Sequence, residues 1–199
     1  WDRIFETSYT KAAKGTAVEP IIDVEWNQGS GWNRYCPEDE AGSGGHAYVG
    51  CVAVAMAQAM SVYQYPDKPM GKHGYRSDYG YLLVDYDAEE PYNWAAMSKT
   101  SSDEENARLL YHLAVSVDMG FSASGSGSYT STVPSALKSY FGYSPIVNYK
   151  YRESFDDEVW YNMIIDELLL GRPVIYSGNG DDGEAGHAFN VDGVGADGT

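Results

Sequence analysis

Ten consecutive residues, Cys51 to Met60, carry one polar amide, Gln58, among cysteine, valine, alanine and methionine. A helix that is apolar all round has to be covered on every side, so this segment belongs in the middle of a domain. Its alanines let neighbouring elements approach closely. Gly50 precedes it, and Tyr65-Pro66 follows its end. With 199 residues, 43% of them hydrophobic, the chain is long enough for one packed domain or two closely apposed lobes with a cleft between them.

The formal charge of −16, with no basic run to offset it, sets nucleic acid and anionic membrane aside as partners. The longest apolar stretch, Val52 to Met60, is far short of the roughly 20 residues a membrane span requires. The opening Trp1-Asp2-Arg3-Ile4-Phe5 lacks the basic leader and apolar run of a signal peptide. Any targeting segment is therefore expected outside this sequence. The 18 tyrosines suit half-buried strands and groove walls.

Residues 1–18 have no period and read as a lead-in or the remnant of a propeptide or linker; an ordered domain is expected over 19–199. Residues 66–100, rich in Tyr, Asp, Gly and Pro, read as loops and short strands. A second helix is expected from Asp103 to Met119, with Ser102 and Glu105 as capping box and Gly120 beyond its end. A third spans Pro134 to Phe141, followed by Gly142. A fourth runs from Asp156 to Leu170, capped by Ser154 and stopped by Gly171. Pro173 to Tyr176 then reads as a strand, Gly178 to Gly186 as a glycine-rich loop, and His187 to Val191 as the returning strand. Helices first and strands later give an α+β class.

Two cysteines are too few for a disulfide scaffold. Cys36 sits before a proline in a polar loop. Cys51 opens the apolar helix, where unpaired N–H groups and the positive dipole end favour a thiolate. With a histidine far downstream it is a candidate nucleophile; a small buried core residue is the alternative. His187 opens an apolar strand 136 positions after Cys51 and is the candidate base; a structural hairpin histidine is its alternative. Gln28, in Trp26-Asn27-Gln28-Gly29, offers an upstream amide for an oxyanion, as does the N–H of Cys51. Gly50 is expected to leave room for a substrate backbone. His46, His73 and His112 compete as base. No histidine pairs with a second ligand at metal-site spacing. The runs Asp181-Asp182-Gly183-Glu184 and Asp192 to Gly198 lack the alternating ligands of a calcium loop. No metal and no cofactor are expected.

Together these segments resemble the streptopain family of papain-like bacterial cysteine proteases. Trp26-Asn27-Gln28-Gly29 is similar to the family's upstream Asn-Gln-Gly. His46-Ala47-Tyr48-Val49-Gly50-Cys51-Val52-Ala53 resembles its nucleophile box, and Gln58 and Tyr65-Pro66 fit the helix and turn that follow. Tyr92-Asn93-Trp94 and Ser116-Val117-Asp118-Met119 match further landmarks. Gly186-His187-Ala188-Phe189-Asn190-Val191-Asp192-Gly193 resembles the base box, departing from it at Asn190-Val191.

The resemblance implies a papain-like two-lobed fold, a helical lobe with the nucleophile helix packed on an antiparallel sheet lobe carrying the histidine. It implies a secreted cysteine endopeptidase acting on protein or peptide substrates through Cys51 and His187, with a thioester intermediate, Gln28 in the oxyanion hole, and an N-terminal propeptide as intramolecular inhibitor. By position in the resemblance, Ser124, Ser126, Ser128, Asn179 and Gly186 line the substrate groove. In the family an Asn-Trp pair follows the base box in the next strand; here the sequence ends at Thr199, so a shortened domain is expected. Cys36 is an extra thiol that, if oxidised with Cys51, would silence it. A catalytically inactive binding or adhesion module and a transglutaminase-like acyltransferase are the alternative functions.

Overall fold

The computed structural model describes residues 17–178 and 186–195. The chain divides into two compact units. The larger comprises Asp23–Tyr149 and Ile175–Asn190.

The larger unit is built around the apolar helix α1, Cys51–Ser61. It packs against α2, Glu104–Ser116. Val52, Ala53, Met56 and Met60 from α1 and Leu109, Leu110 and Leu113 from α2 are almost completely buried in one core. An antiparallel hairpin, β1 (Lys72–Ser77) and β2 (Gly80–Asp85), also packs on α2. Its pairing runs from Lys72 opposite Asp85 to Ser77 opposite Gly80, leaving Asp78-Tyr79 as the turn. This hairpin lies in the stretch expected only as loops and short strands. Its glycines and charges weaken the period-2 signal, while Leu82 and Val84 on one face still reach the core.

The second helix is capped differently from expectation. Asp103, not Ser102, is the N-cap: its Oδ1 accepts from the Asn106 N–H at 2.9 Å, and the Asn106 Oδ1 accepts from the Asp103 N–H at 2.9 Å. An asparagine at the third helical position performs the reciprocal bond usually given by Glu or Gln. The helix also stops at Ser116, before the expected Met119. Asp118 takes a left-handed conformation with φ 53° and ends the run in place of Gly120. Helix α3, Val133–Tyr140, carries Pro134 in its first turn and is followed by Gly142 at φ 65°, close to expectation. Strands β3 (Val174–Gly178) and β4 (His187–Val191) form a second two-stranded sheet.

The smaller unit gathers residues 17–22, 150–174 and 191–195 of the described chain. Val18 and Val194 exchange two backbone hydrogen bonds, 2.8 and 2.9 Å. The Asp192 carboxylate accepts from the Ile22 N–H at 3.0 Å. Helix α4, Asp157–Leu169, buries Ile165 and Leu168 and stops before Gly171 at φ 71°. Ser154 does not cap it, because that residue ends a short 3-10 turn; Asp156 holds the N-cap position without a side-chain bond. Among the described residues no helix is long and apolar enough to cross a membrane.

One buried histidine gives the larger unit a pH signature. His112 on α2 is 3% exposed, and burial, then the Arg108 guanidinium, pushes its pKa from 6.5 down to about 3. It is therefore neutral at physiological pH, although its Nε2 lies 3.5 Å from the Glu89 carboxylate. The tautomer that serves both neighbours has the Tyr92 hydroxyl donating to Nδ1, 2.9 Å away, and the Nε2–H facing Glu89. Unfolded, this histidine takes up a proton below 6.5; folded, it does so only near 3. Between those values the unfolded state binds more protons, so stability falls as pH falls, at up to about 1.4 kcal/mol per pH unit. A His112→Gln variant is expected to flatten that limb when denaturant midpoints are measured from pH 7 to pH 4.

Candidate active site

Cys51 is the first residue of α1. The N-cap before it is Gly50, which supplies no side-chain bond to the first helical N–H groups. Those donors and the positive end of the helix are thus left for the thiol and for any charge developing beside it. Cys51 is partly exposed.

Gly50 stands there for a conformational reason rather than to admit substrate. Its φ is 94°, a region L-residues rarely adopt. A Cβ on it would meet the Met119 Sδ at 2.5 Å and the Ser126 carbonyl at 3.2 Å. The space expected for a substrate backbone is occupied by the protein itself. Gly50→Ala is expected to cost about 1–3 kcal/mol and to slow Cys51 alkylation. Thermal unfolding and a labelling rate check both.

His187 begins β4 and is exposed. Its ring lies nearly parallel to that of Phe189, centroids 6.3 Å apart, and Phe189 in turn contacts Tyr176 at 5.5 Å. The next residue, Ala188, is buried, and its N–H donates to the Cys51 Sγ at 3.4 Å. The start of β4 is thereby tied to the start of α1. Cys51, His187 and Gln28 line one cleft of about 240 Å³, together with Trp26 and Gln58. Gln28 is fastened through its main chain: its carbonyl accepts from the Val49 N–H at 3.0 Å and its N–H donates to the Asn27 Oδ1 at 2.7 Å.

The competing histidines are engaged elsewhere. The His46 Nδ1–H donates to the Cys36 carbonyl at 2.8 Å. His73 lies on β1, between the Asp118 carboxylate at 2.7 Å and the Tyr140 hydroxyl at 2.9 Å. His112 is buried and neutral. Cys36 is not on a polar surface loop but 3% exposed in the core, where burial pushes its thiol up to about 12. Both cysteines are free.

The serine loop is largely occupied with its own structure. The Ser126 hydroxyl donates to the Tyr48 carbonyl at 2.5 Å and accepts from the Ser122 N–H at 2.9 Å. The Ser128 hydroxyl donates to the Val117 carbonyl. Ser124 is exposed and bonds Ser122 at 3.0 Å; Gly186 is exposed beside His187. Asn179 and the run Asp181 to Glu184 lie outside the described residues. No cluster able to hold a metal ion occurs among the described residues.

Three polar residues that sequence reasoning did not single out as functional help hold this site. Asn33 is buried, and its amide donates to the carbonyls of Ser43, His46 and Ala47 at 2.7, 3.2 and 3.1 Å, pinning the segment that leads to Cys51. Gln58 and Asn190 join α1 to β4. Gln58 carried a signal, as the one polar side chain in an apolar run and seven positions after Cys51; Asn190 lay at the departure from the base box.

A model described as the peptidase C10 family matches residues 26–199. The thiol protease/hemagglutinin PrtT of Porphyromonas gingivalis is 38% identical over 192 residues, covering 92% of this chain and 21% of that protein. Streptopain of Streptococcus pyogenes is 32% identical over 221 residues, covering 95% of this chain and 54% of that protein. The chain therefore spans only part of the curated relatives it matches. The solved structure of active wild-type Prevotella intermedia interpain A cysteine protease superposes with a TM-score of 0.82 at 30% identity, covering 94% of this chain and 80% of that one. An α+β fold of papain-like type, a family match across the site and the nucleophile and base boxes in order lead to one conclusion: as the resemblance to streptopain implied, the chain belongs to the peptidase C10 family.

Proposed function

We propose that this chain is the catalytic part of a cysteine endopeptidase, with Cys51 as nucleophile, His187 as general base and acid, and Gln28 as oxyanion donor. The observation that carries this reading is the single cleft lined by all three residues, at an uncapped helix N-terminus.

His187 removes the proton from the Cys51 Sγ. The thiolate attacks the peptide carbonyl carbon, and the C–O double bond opens to an oxyanion held by the Gln28 amide and the Cys51 N–H. As the tetrahedral species collapses, the C–N bond breaks and His187 gives its proton to the leaving amine. A water molecule, deprotonated by His187, then attacks the thioester. The C–S bond breaks, the acid product leaves, and Cys51 regains its proton.

The substrates in this reading are proteins or peptides, and the enzyme is secreted as a precursor whose propeptide is removed; the resemblance to streptopain supports these points. In this reading the exposed residues Ser124 and Gly186 contribute to the substrate groove, as the resemblance to streptopain suggests.

Labelling with iodoacetamide or an epoxide across pH 5 to 9, followed by mass spectrometry, tests the proposal. Cys51 should label well below the pH at which an ordinary thiol ionises, Cys36 should stay unlabelled in the folded protein, and His187→Ala should remove the low-pH reactivity. An ordinary labelling profile for Cys51, indifferent to His187, would sink the reading.

A further inference from the structure

The cleft residues of α1 are Cys51, Val54, Ala55 and Gln58, one stripe of the helix. Strand β4 follows that stripe. The Ala188 N–H meets the Cys51 Sγ at 3.4 Å, and the Asn190 Nδ2 donates to the Ala55 carbonyl at 3.0 Å. Two strand residues advance about 6.6 Å and four helix residues about 6 Å. Strand and helix therefore stay in step, with Ala188 set against Cys51 and Asn190 set against Ala55.

The second contact branches. The Asn190 Nδ2 also donates to the Gln58 Oε1 at 3.1 Å, and the Gln58 Nε2 donates to the Trp26 carbonyl at 3.1 Å. The direction of each bond is forced: Ala55 and Trp26 offer carbonyls, which only accept, so each amide has to present its nitrogen there. Trp26 is itself buried and fixed by its Nε1–H to the Ser98 carbonyl at 2.7 Å. It lies two residues before Gln28. One amide pair thus ties the base strand, the nucleophile helix and the oxyanion-donor segment to a single point.

We propose that Gln58 and Asn190 are positioning residues, which set the register of β4 on α1 and so the approach of His187 to Cys51, while holding the Gln28 segment against the same helix. This rests on the cysteine-peptidase reading. Neither side chain touches the reacting atoms in this role. The bridge is also a poor candidate for simple stabilisation, because the Asn190 Oδ1 is buried without a hydrogen-bond partner among the described residues.

The test is Asn190→Leu, close in volume and without the amide. An irreversible epoxide counts competent sites, and kcat is then expressed per labelled Cys51. The expected result is a kcat per site lowered about 10–100-fold, KM within about twofold, and Cys51 alkylation at pH 6 slowed toward that of His187→Ala. Because the two amides act as a unit, the Gln58→Met, Asn190→Leu double variant should be little worse than either single one. A purely structural role would lower the number of labelled sites and leave kcat per site unchanged, which overturns the proposal; so would additive losses. If Asn190→Leu does not accumulate, Gln58→Met alone decides by the same readout. Should the unmutated protein show no selective Cys51 labelling, the peptidase reading falls and this proposal with it. Normal labelling with an indifferent Asn190→Leu sinks the positioning role alone.

Discussion

Cys51→Ala is expected to abolish peptide-bond hydrolysis, and His187→Ala to lower kcat/KM to nearly the same floor, a loss of about 10⁴–10⁶. The two losses should be similar because in the proposed mechanism neither residue works without the other. Without His187 the sulfur is a half-exposed thiol at a helix end; without Cys51 there is no acyl acceptor. No second thiol can substitute. Cys36 is 3% exposed and held protonated, its pKa raised to about 12 by burial. Nor does another histidine replace His187, since His46, His73 and His112 are bonded to the Cys36 carbonyl, Asp118 with Tyr140, and Tyr92 respectively. Release of a fluorogenic group from a peptide measures the effect. Cleavage by purified Cys51→Ala above about one part in 10⁴ of the unmutated rate would remove Cys51 from the mechanism.

Gln28→Ala carries the second large effect, a fall in kcat of about 10²–10³, with KM and the pH profile of Cys51 labelling nearly unchanged. The split follows from when the interaction forms. In the proposed mechanism the amide meets negative charge only once the carbonyl has become tetrahedral, so ground-state binding and thiol ionisation do not depend on it. The variant should fold, because Gln28 is held through its own backbone carbonyl and N–H, to Val49 and Asn27, and alanine keeps both groups. Steady-state kinetics beside a labelling titration checks this. A change confined to KM, or a loss of labelling, would assign Gln28 to binding or to folding instead.

The serine loop shows where reading by position stops. Ser124, Ser126 and Ser128 look alike in the sequence, three hydroxyls separated by small residues. In the fold Ser126 and Ser128 donate to the carbonyls of Tyr48 and Val117, and Ser124 remains exposed. Any substrate contact by this loop is therefore expected from its backbone and from Ser124.

Some features were legible because they are local. The near-absence of polar side chains from Cys51 to Met60, with Gln58 alone, dictates a central helix, and a thiol at its first position needs no partner to feel the helix end. Gly142 and Gly171 mark helix ends because left-handed backbone is cheap only for glycine. The boxes around Cys51 and His187 carried the family. Other features depend on which distant segment arrives opposite. Gly50 is needed because Met119 and the Ser126 carbonyl press on it; Cys36 is buried although its neighbours in sequence are polar; Asn190 acquires its task only when β4 lies along α1. The sequence by itself determined the helix, the thiol at its first position and the residue types of the candidate site, since these follow from periodicity and local backbone preference. Only the tertiary structure decided which hydroxyl, amide or thiol is consumed by a main-chain partner and which is left facing the cleft, because a hydrogen bond between residues 132 positions apart leaves no period in the chain.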